Sequence, residues 1–403
     1  MVVNFARPED WIPGLAAVHV AKIAAILTLA ALVFSSGSIR WYLPWEVIFL
    51  LLLGVQLWLT VPFSPVWRGG AFYKTLDFSK VLLLVVVMIQ VVQSMKRLRW
   101  ILFVQAASVA AIAITTIVNA HMRRGRLEGV LSGSYGNSND LALMIDISLP
   151  LCLALALTTR SYWKKLAWAF AMLAMIYTVF LSASRAGALA LVIVALICLW
   201  QFGVKGRRFY LVLLVPIAMI VLWLHGGHSL RERIGQTSLD PTTNSQKTEA
   251  SESAQARKEL LLKSLEVTAE HPLFGVGPGN FVVISGMWHA THNSYTQISA
   301  EGGIPAFLLY VLILWRAIAN LRAIRKYPKT EKGIRVFSMA LEASLAAYLV
   351  GSFFASVAYL LFPYCLVAYS SVLRLIVQRD RIVSSRASES DMTPAQLEVT
   401  VWQ

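Results

Sequence analysis

The sequence alternates long apolar runs with short polar segments along most of its length. A helix needs about 20 apolar residues to cross a hydrocarbon core of about 30 Å, and most of the runs approach that length. The run at 14–34 is not followed by a small-residue cleavage pattern, so we expect a first span there and no cleaved signal peptide. We predict membrane-spanning helices at 14–34, 44–61, 76–94, 100–118, 141–158, 166–182, 187–203, 209–225, 303–320, 336–355 and 358–377.

The composition favours an all-α polytopic transmembrane bundle of about 11 helices. Hydrophobic residues make up 57% of the 403 residues and charged residues only 14%, whereas soluble globular proteins use about 25% charged residues. Cys152, Cys198 and Cys365 each lie in an apolar run. A thiol in such a position behaves as a small hydrophobic group, so we expect no disulfide bond.

The distribution of charge predicts the orientation of the helices. The net charge is +15, and basic residues cluster between spans, at 95–99, 160–165, 204–208 and 316–335. The positive-inside rule places these clusters in the cytoplasm, and the opposite face then receives the segments 62–75, 119–140, 183–186 and 226–292. Nucleic-acid binding is not expected, because no soluble domain remains to form a basic groove. Eleven spans put the N-terminus outside, where the positive-inside rule does not favour the leader that contains Arg7. A missing or displaced first helix would explain this conflict.

We divide the chain into four parts: an N-terminal transmembrane bundle (1–225), a long outer loop (226–292), C-terminal transmembrane helices (293–378) and a disordered cytoplasmic tail (379–403). Within the loop, 237–255 is a polar stretch expected to be flexible. Residues 256–270 are typical of an amphipathic helix that lies on the bilayer or caps the bundle, with Leu261, Leu262, Leu265 and Ala269 on one face.

Two polar stretches precede spans on the predicted outer side. "SGSYGNSNDLALM" (132–144) contains Asn137 and Asn139 and ends in Asp140, which is expected to cap the next helix. This stretch is interpreted either as a loop with a helix cap or as a polar lining for a sugar or phosphate. In "LSASRAGALAL" (181–191), Arg185 lies between two apolar helices. Its guanidinium either snorkels to the lipid headgroups or binds a phosphate group.

Two further stretches frame the end of the outer loop. "GVGPGN" lacks the strand and the lysine of a nucleotide-binding loop, so it is interpreted as a glycine-rich turn that folds back onto the bundle. In "THNSYTQISAEGGIP" (291–305), a helix that begins near His292 would carry a polar stripe of Tyr295, Thr296, Ser299 and Gly303. A zinc site at the HxxH pair of His289 and His292 is not expected, because the remaining ligands are not evident.

Four stretches together resemble the O-antigen ligase and polymerase family of bacterial polytopic glycosyltransferases. They are "GNSND", "LSASRAG", an arginine before "HPLFGVGPGNF", and "HNSYTQISAEGGIP". The N-terminal "ARPEDWIPGL" and "PFSPVW" resemble, more weakly, a branch of O-glycosylation ligases associated with exosortase systems. The chain departs from the family pattern at Ala306, where the family has glycine, and in its number of spans.

The resemblance implies transfer of a glycan from undecaprenyl pyrophosphate to an acceptor hydroxyl, on the periplasmic face of the bacterial inner membrane, with Arg185 and Arg257 bound to the pyrophosphate and His292 near the acceptor. An imidazole can accept a proton at neutral pH, so His292 is the candidate base of an inverting displacement. No Asp-x-Asp pair occurs in the outer segments, so we expect the reaction to need neither a metal nor a cofactor. Other residues expected to line the substrate site are Asn137, Asn139, Asn293, Tyr295 and Glu301, although Glu301 is expected to be structural because it falls on the other side of the helix from His292.

Alternatives remain open at this point. The acceptor implied by the ligase members is the lipid A core, but a growing polysaccharide or a protein would define a polymerase or an oligosaccharyltransferase. A solute transporter is the alternative from a different class, because Glu46, Lys80, Asp146 and Glu342 are ionisable residues within or beside spans.

Overall fold

The computed structural model describes residues 5–11, 42–123, 126–131, 135–235, 245–327 and 330–390, together with five single positions between 23 and 34. The described part of the chain is helical apart from a hairpin of two short antiparallel strands, β1 (Met122–Arg123) and β2 (Arg126–Leu127). The helices are α1 (Pro8–Trp11), α2 (Trp45–Phe63), α3 (Arg68–Val91), α4 (Met95–Asn119), α5 (Ser138–Thr158), α6 (Tyr162–Leu181), α7 (Arg185–Cys198), α8 (Phe209–Gly226), α9 (His228–Gly235), α10 (Ser245–Glu270), α11 (Phe281–Ile284), α12 (Ser294–Arg325), α13 (Lys332–Gly351) and α14 (Leu361–Ser390). A π-helical turn, Leu199–Val204, extends α7.

The predicted all-α membrane bundle is confirmed. Among the described residues, nine helices are long and apolar enough to cross a membrane: α2, α4, α5, α6, α7 with its π-helical turn, α8, α12, α13 and α14. Each predicted span from the second to the last falls on a long helix, and the span predicted at 14–34 lies outside the described residues. Helix α3 is also long, but it is not among the nine, because Lys74, Asp77 and Lys80 place three charged residues along it.

The core of the bundle is formed around α5, whose residues from Leu141 to Cys152 are all buried. Helices α13 and α14 also bury most of their apolar side chains, whereas α8 buries only Gly226 at its end. A spanning helix that is apolar on all sides can either be surrounded by other helices or face lipid. The structure assigns the first role to α5 and the second to α8.

Helix α12 is broken close to its predicted outer end. Gly303 has a φ of 79° and a ψ of 175°, and Pro305 follows. Because proline has no N–H, the carbonyl of Glu301 has no helical donor, and it accepts instead from Gly277 N (2.9 Å). The neighbouring Ala300 carbonyl accepts from Val276 N (2.9 Å), and Ile304 N donates to Pro272 O (2.8 Å). The break therefore holds the segment 271–280, which we call the glycine loop.

Helix α10 docks onto the bundle through a face other than its leucine-rich one. Leu260, Ser264 and Val267 are buried, and Leu260 and Val267 pack with residues of the glycine loop and α12. Leu262 and Leu265, on the face expected either to lie on the bilayer or to cap the bundle, are 56% and 50% exposed, so this face does not cap the bundle. The leucines alone do not set the docked face, because the hydrogen bond between the hydroxyls of Thr268 and Ser299 (3.0 Å) also orients the helix.

Two predicted boundaries also change. Helix α10 begins at Ser245, so 245–255, part of the stretch expected to be flexible, is helical, while 236–244 lie outside the described residues. Helix α14 continues to Ser390, beyond the predicted start of the disordered tail at 379, and 391–403 lie outside the described residues.

Candidate functional site

A cavity of about 480 Å³ opens where α7, α10, the segment before α12 and the end of α13 meet. Arg185, Arg257, His292 and Asn293, which the sequence singled out from distant stretches, all line it. The remaining wall comes from residues that sequence reasoning did not select, among them Lys258, Thr291, Phe353 and Phe354, with apolar contributions from Ala186, Leu189 and Leu261. The cavity thus combines three basic side chains, one imidazole and an aromatic surface.

Arg185 is held at the cavity by a tight turn between α6 and α7. Ser184 caps α7 by accepting a hydrogen bond from Gly187 N (3.1 Å), and its own hydroxyl donates to Asn139 Oδ1 (2.9 Å). Arg126 donates to the same Asn139 oxygen (2.7 Å) and to Ser182 O (3.1 Å). Asn139 therefore supports the turn that carries Arg185.

The structure does not support the substrate-lining role expected for Asn137 and Asn139. Asn137, and not Asp140, caps α5, since its side chain accepts from Asn139 N (2.8 Å). Neither Asn137 nor Asn139 lines the cavity. The Asn137 side chain satisfies a backbone N–H at a helix start, which is the commoner use of asparagine at such positions, and the Asn139 side chain accepts from two side chains at the turn.

Arg257 reaches the cavity from α10, which packs against α12. The adjacent Lys258 lines the same cavity, so the helix contributes two successive positive charges. Arg185 and Arg257 lie on different helices and are more than 70 positions apart in the chain, and only folding brings them together.

His292 precedes α12 and is not part of it. Its backbone is left-handed, with a φ of 52°, and Asn293 caps the helix by accepting from Tyr295 N (2.9 Å) and Thr296 N (3.2 Å). Burial and, to a smaller extent, the positive charges of Arg257 and His289 lower the pKa of His292 below the usual value for histidine. The imidazole is therefore neutral at neutral pH and able to accept a proton.

The polar stripe predicted to follow His292 along the helix is not a wall of the cavity. Tyr295 donates to Leu349 O (3.0 Å), and Ser299 bonds to Thr268 on α10. Gly303 lies at the break, outside helical geometry. Tyr295 and Ser299 do not face the cavity because they bond to residues of α13 and α10, and Gly303 leaves the stripe because the helix breaks there.

Glu301 is buried and lies apart from the cavity. Its carboxylate lies against the backbone N–H groups of Gly279 and Phe281 and the hydroxyl of Tyr359. Its Oε2 atom has no hydrogen-bond partner among the described residues. The position is that of a structural group, which the sequence favoured over a role as the base, and it does not support the substrate-lining role also expected for Glu301.

The ionisable residues that a transporter would use mostly form pairs. Glu46 accepts from Arg316 (3.3 Å) and Asn320 (2.7 Å), Lys80 pairs with Asp77 (2.6 Å), and Glu342 pairs with Arg322 (3.1 Å). Asp146 is buried in α5, and its carboxyl oxygens have no hydrogen-bond partner among the described residues. These four side chains are dispersed through the bundle and do not line the cavity.

Comparison with known proteins supports the resemblance. The family model described as O-Antigen ligase matches residues 170–311, an interval that contains Arg185, Arg257 and His292. The predicted resemblance to this family is thereby confirmed over that interval, and the match supports glycan transfer of the O-antigen ligase or polymerase kind. No curated protein matches the chain.

One solved chain, described as "Structural coordination of polymerization and crosslinking by a peptidoglycan synthase complex", is similar over 84% of this chain and 98% of its own length. The two are 19% identical, with a TM-score of 0.42. That likeness is too distant to bear on function.

Proposed function

We propose that this protein transfers a glycan from an undecaprenyl-pyrophosphate carrier to a hydroxyl group of an acceptor, on the periplasmic face of a bacterial inner membrane. The observation that carries the proposal is the convergence of Arg185, Arg257 and His292 on one cavity. The family match over 170–311 supports glycan transfer in general, and the donor, the acceptor and the mechanism are part of the proposal.

The two arginines stabilise the leaving group. As the glycosidic C–O bond breaks, negative charge grows on the pyrophosphate, and fixed guanidinium groups stabilise that charge more than they stabilise the bound donor. A guanidinium can also donate two parallel hydrogen bonds to phosphate oxygens, which orients the donor. Removal of one such fixed donor slows comparable reactions by about 10²–10³-fold.

His292 acts as the general base. The neutral imidazole takes the proton of the acceptor hydroxyl while the hydroxyl oxygen attacks the anomeric carbon, and undecaprenyl pyrophosphate leaves from the opposite side. A single direct displacement inverts the configuration at the anomeric carbon. General base catalysis contributes about 10²–10⁴-fold to the rate of such reactions.

The acceptor is proposed to be the lipid A core, as the ligase resemblance implies. A growing polysaccharide or a protein acceptor would use the same donor chemistry at the same cavity. Because the arginines supply positive charge to the leaving group, the proposed reaction needs no divalent cation, and metal independence is a prediction of the proposal.

The test uses the full-length protein in proteoliposomes with a purified lipid-linked glycan and candidate acceptors, in the presence of EDTA. Transfer is measured for the wild type and for His292→Ala, Arg185→Ala and Arg257→Ala. His228→Ala is the matched control, because that histidine is exposed, pairs with Glu232 (3.4 Å) and lies outside the cavity.

We expect the three cavity variants to lose about 10²-fold or more of the transfer rate, and the control to keep it. Full activity of His292→Ala, or loss of wild-type activity in EDTA, contradicts the mechanism. Solute flux into proteoliposomes without any polyprenyl donor, together with no transfer, would instead favour a transporter.

A further inference from the structure

The segment that follows α13 is bound tightly to the segment that carries His292. Ser294 N donates to Ser352 O (2.8 Å), the Ser294 hydroxyl donates to Ala355 O (2.6 Å), and Val357 N donates to the same hydroxyl (2.9 Å). The hydroxyls of Thr291 and Ser356 are 3.0 Å apart. Five of these six residues, all except Ser356, are buried, so residues 291–294 and 352–357 form one rigid unit.

This unit presents an aromatic surface to the cavity. Phe353 and Phe354, which we call the aromatic wall, both line the cavity with His292. Phe353 is 55% exposed, and its ring is held by Tyr295, with ring centroids 4.5 Å apart and an interplanar angle of 43°. A large, exposed ring that is fixed relative to the candidate base is a preorganised surface for a ligand in the cavity.

The basic side chains and the aromatic wall belong to different elements. Arg185 is carried by α7 and Arg257 and Lys258 by α10, whereas the aromatic wall is carried by the unit that holds His292. In the proposed reaction the anomeric carbon is bonded to the pyrophosphate and is attacked by the hydroxyl that His292 deprotonates. The sugar ring is bonded to the pyrophosphate that the arginines bind, and it must therefore lie beside His292, in the cavity that the aromatic wall also lines.

We propose that the aromatic wall binds the pyranose ring that is bonded to the pyrophosphate of the donor, with Phe353 as its main contact. This inference rests on the proposed function and deepens it. The face of an aromatic ring is negative, and a pyranose ring presents C–H groups on one face, so the two surfaces are complementary in shape and charge. Isoprenoid methyl groups of the lipid carrier are the competing occupant.

The experiment compares Phe353→Ala, Phe353→Leu and Phe353→Tyr in the transfer assay. Two quantities are measured: the KM for the glycan-bearing donor, and the inhibition constant of sugar-free polyprenyl pyrophosphate. Phe170→Ala is the matched control, because Phe170 is 65% exposed on α6 and lies outside the cavity. Thermal denaturation of each variant in detergent establishes that it is folded.

We expect the alanine and leucine variants to raise the KM of the donor by about tenfold, while the inhibition constant of the sugar-free carrier stays close to the wild-type value. For the tyrosine variant, both the KM and the inhibition constant should stay close to the wild-type values. A leucine variant with wild-type KM overturns the inference and assigns the wall to apolar lipid. A parallel rise in the inhibition constant also overturns it, because the ring would then contact the carrier. Absence of transfer by the wild type refutes the proposed function itself, whereas transfer that no Phe353 variant alters refutes only the aromatic wall.

Discussion

Replacement of Gly303 by alanine should detach the glycine loop from the break in α12. Gly303 has a φ of 79° and a ψ of 175°, a region that essentially only glycine occupies. A Cβ at this position would lie 2.4 Å from the carbonyl oxygen of Leu273 and 2.9 Å from that of Pro272. Both contacts are with backbone atoms, so the loop must move to accept the methyl group.

The cost can be worked from these contacts. Backbone strain of this kind amounts to about 1–3 kcal/mol. The displaced loop would also lose the hydrogen bond from Ile304 N to Pro272 O (2.8 Å), a loss of about 1 kcal/mol. The sum is about 2–4 kcal/mol. Transfer should fall as well, because the glycine loop connects α10, which carries Arg257, to the segment that carries His292.

The assay pairs Gly303→Ala with Gly286→Ala. Gly286 also has a positive φ, of 69°, but a Cβ there would meet no atom within 4 Å, so the control tests an alanine at positive φ without the collision. Thermal midpoints in detergent and transfer rates are measured for both variants. A Gly303→Ala protein that is as stable as Gly286→Ala and transfers glycan at the wild-type rate would refute the reasoning.

Two further predictions concern the base and the turn. The pKa of His292 is lowered and the base acts in its unprotonated form, so transfer should persist at mildly acidic pH and fall only as the pH drops through this lowered pKa. In Arg257→Gln the loss of a positive neighbour raises the pKa of His292, so the acid limb of the pH–rate profile of the residual activity should move to higher pH. An acid limb that does not move contradicts the assignment of His292 as the base. Asn139→Ala should lower the thermal midpoint by leaving two donors without their acceptor, a loss of about 1–3 kcal/mol, and should reduce transfer through a displaced Arg185. Asn119→Ala, which removes a single exposed hydrogen bond to Thr115 O, is the comparison, and equal stability of the two variants would argue against support of the turn by Asn139.

Several features of the fold could be predicted from the sequence because they depend on local properties of the chain. The spans follow from the length and apolarity of single segments, and they coincide with helices from α2 to α14 wherever the structure describes them. Arg185 stood out because a charge beside apolar runs is costly without a partner. Arg257, on an amphipathic stretch, and His292 were singled out by the resemblance of the motifs around them to the O-antigen ligase and polymerase family.

The roles of the asparagines and of the polar stripe could not be predicted in the same way. Whether Asn139 faces a cavity or the turn at Ser184 depends on a residue 45 positions away. Whether α12 continues through Gly303 depends on donors from the glycine loop, which satisfy the carbonyls that the break exposes. A break of this kind is stable in an apolar environment only if another segment supplies the missing hydrogen bonds.

The sequence by itself thus determined which segments enter the membrane and which polar residues stand out against them, because hydrophobic length and charge are properties of the chain. Only the tertiary structure decided that two arginines, a histidine and the aromatic wall share one cavity. Phe353 in "GSFFASV" looks like any other apolar residue near the end of a span. Its position beside His292 arises from hydrogen bonds between segments about 60 residues apart, and no local pattern encodes such contacts.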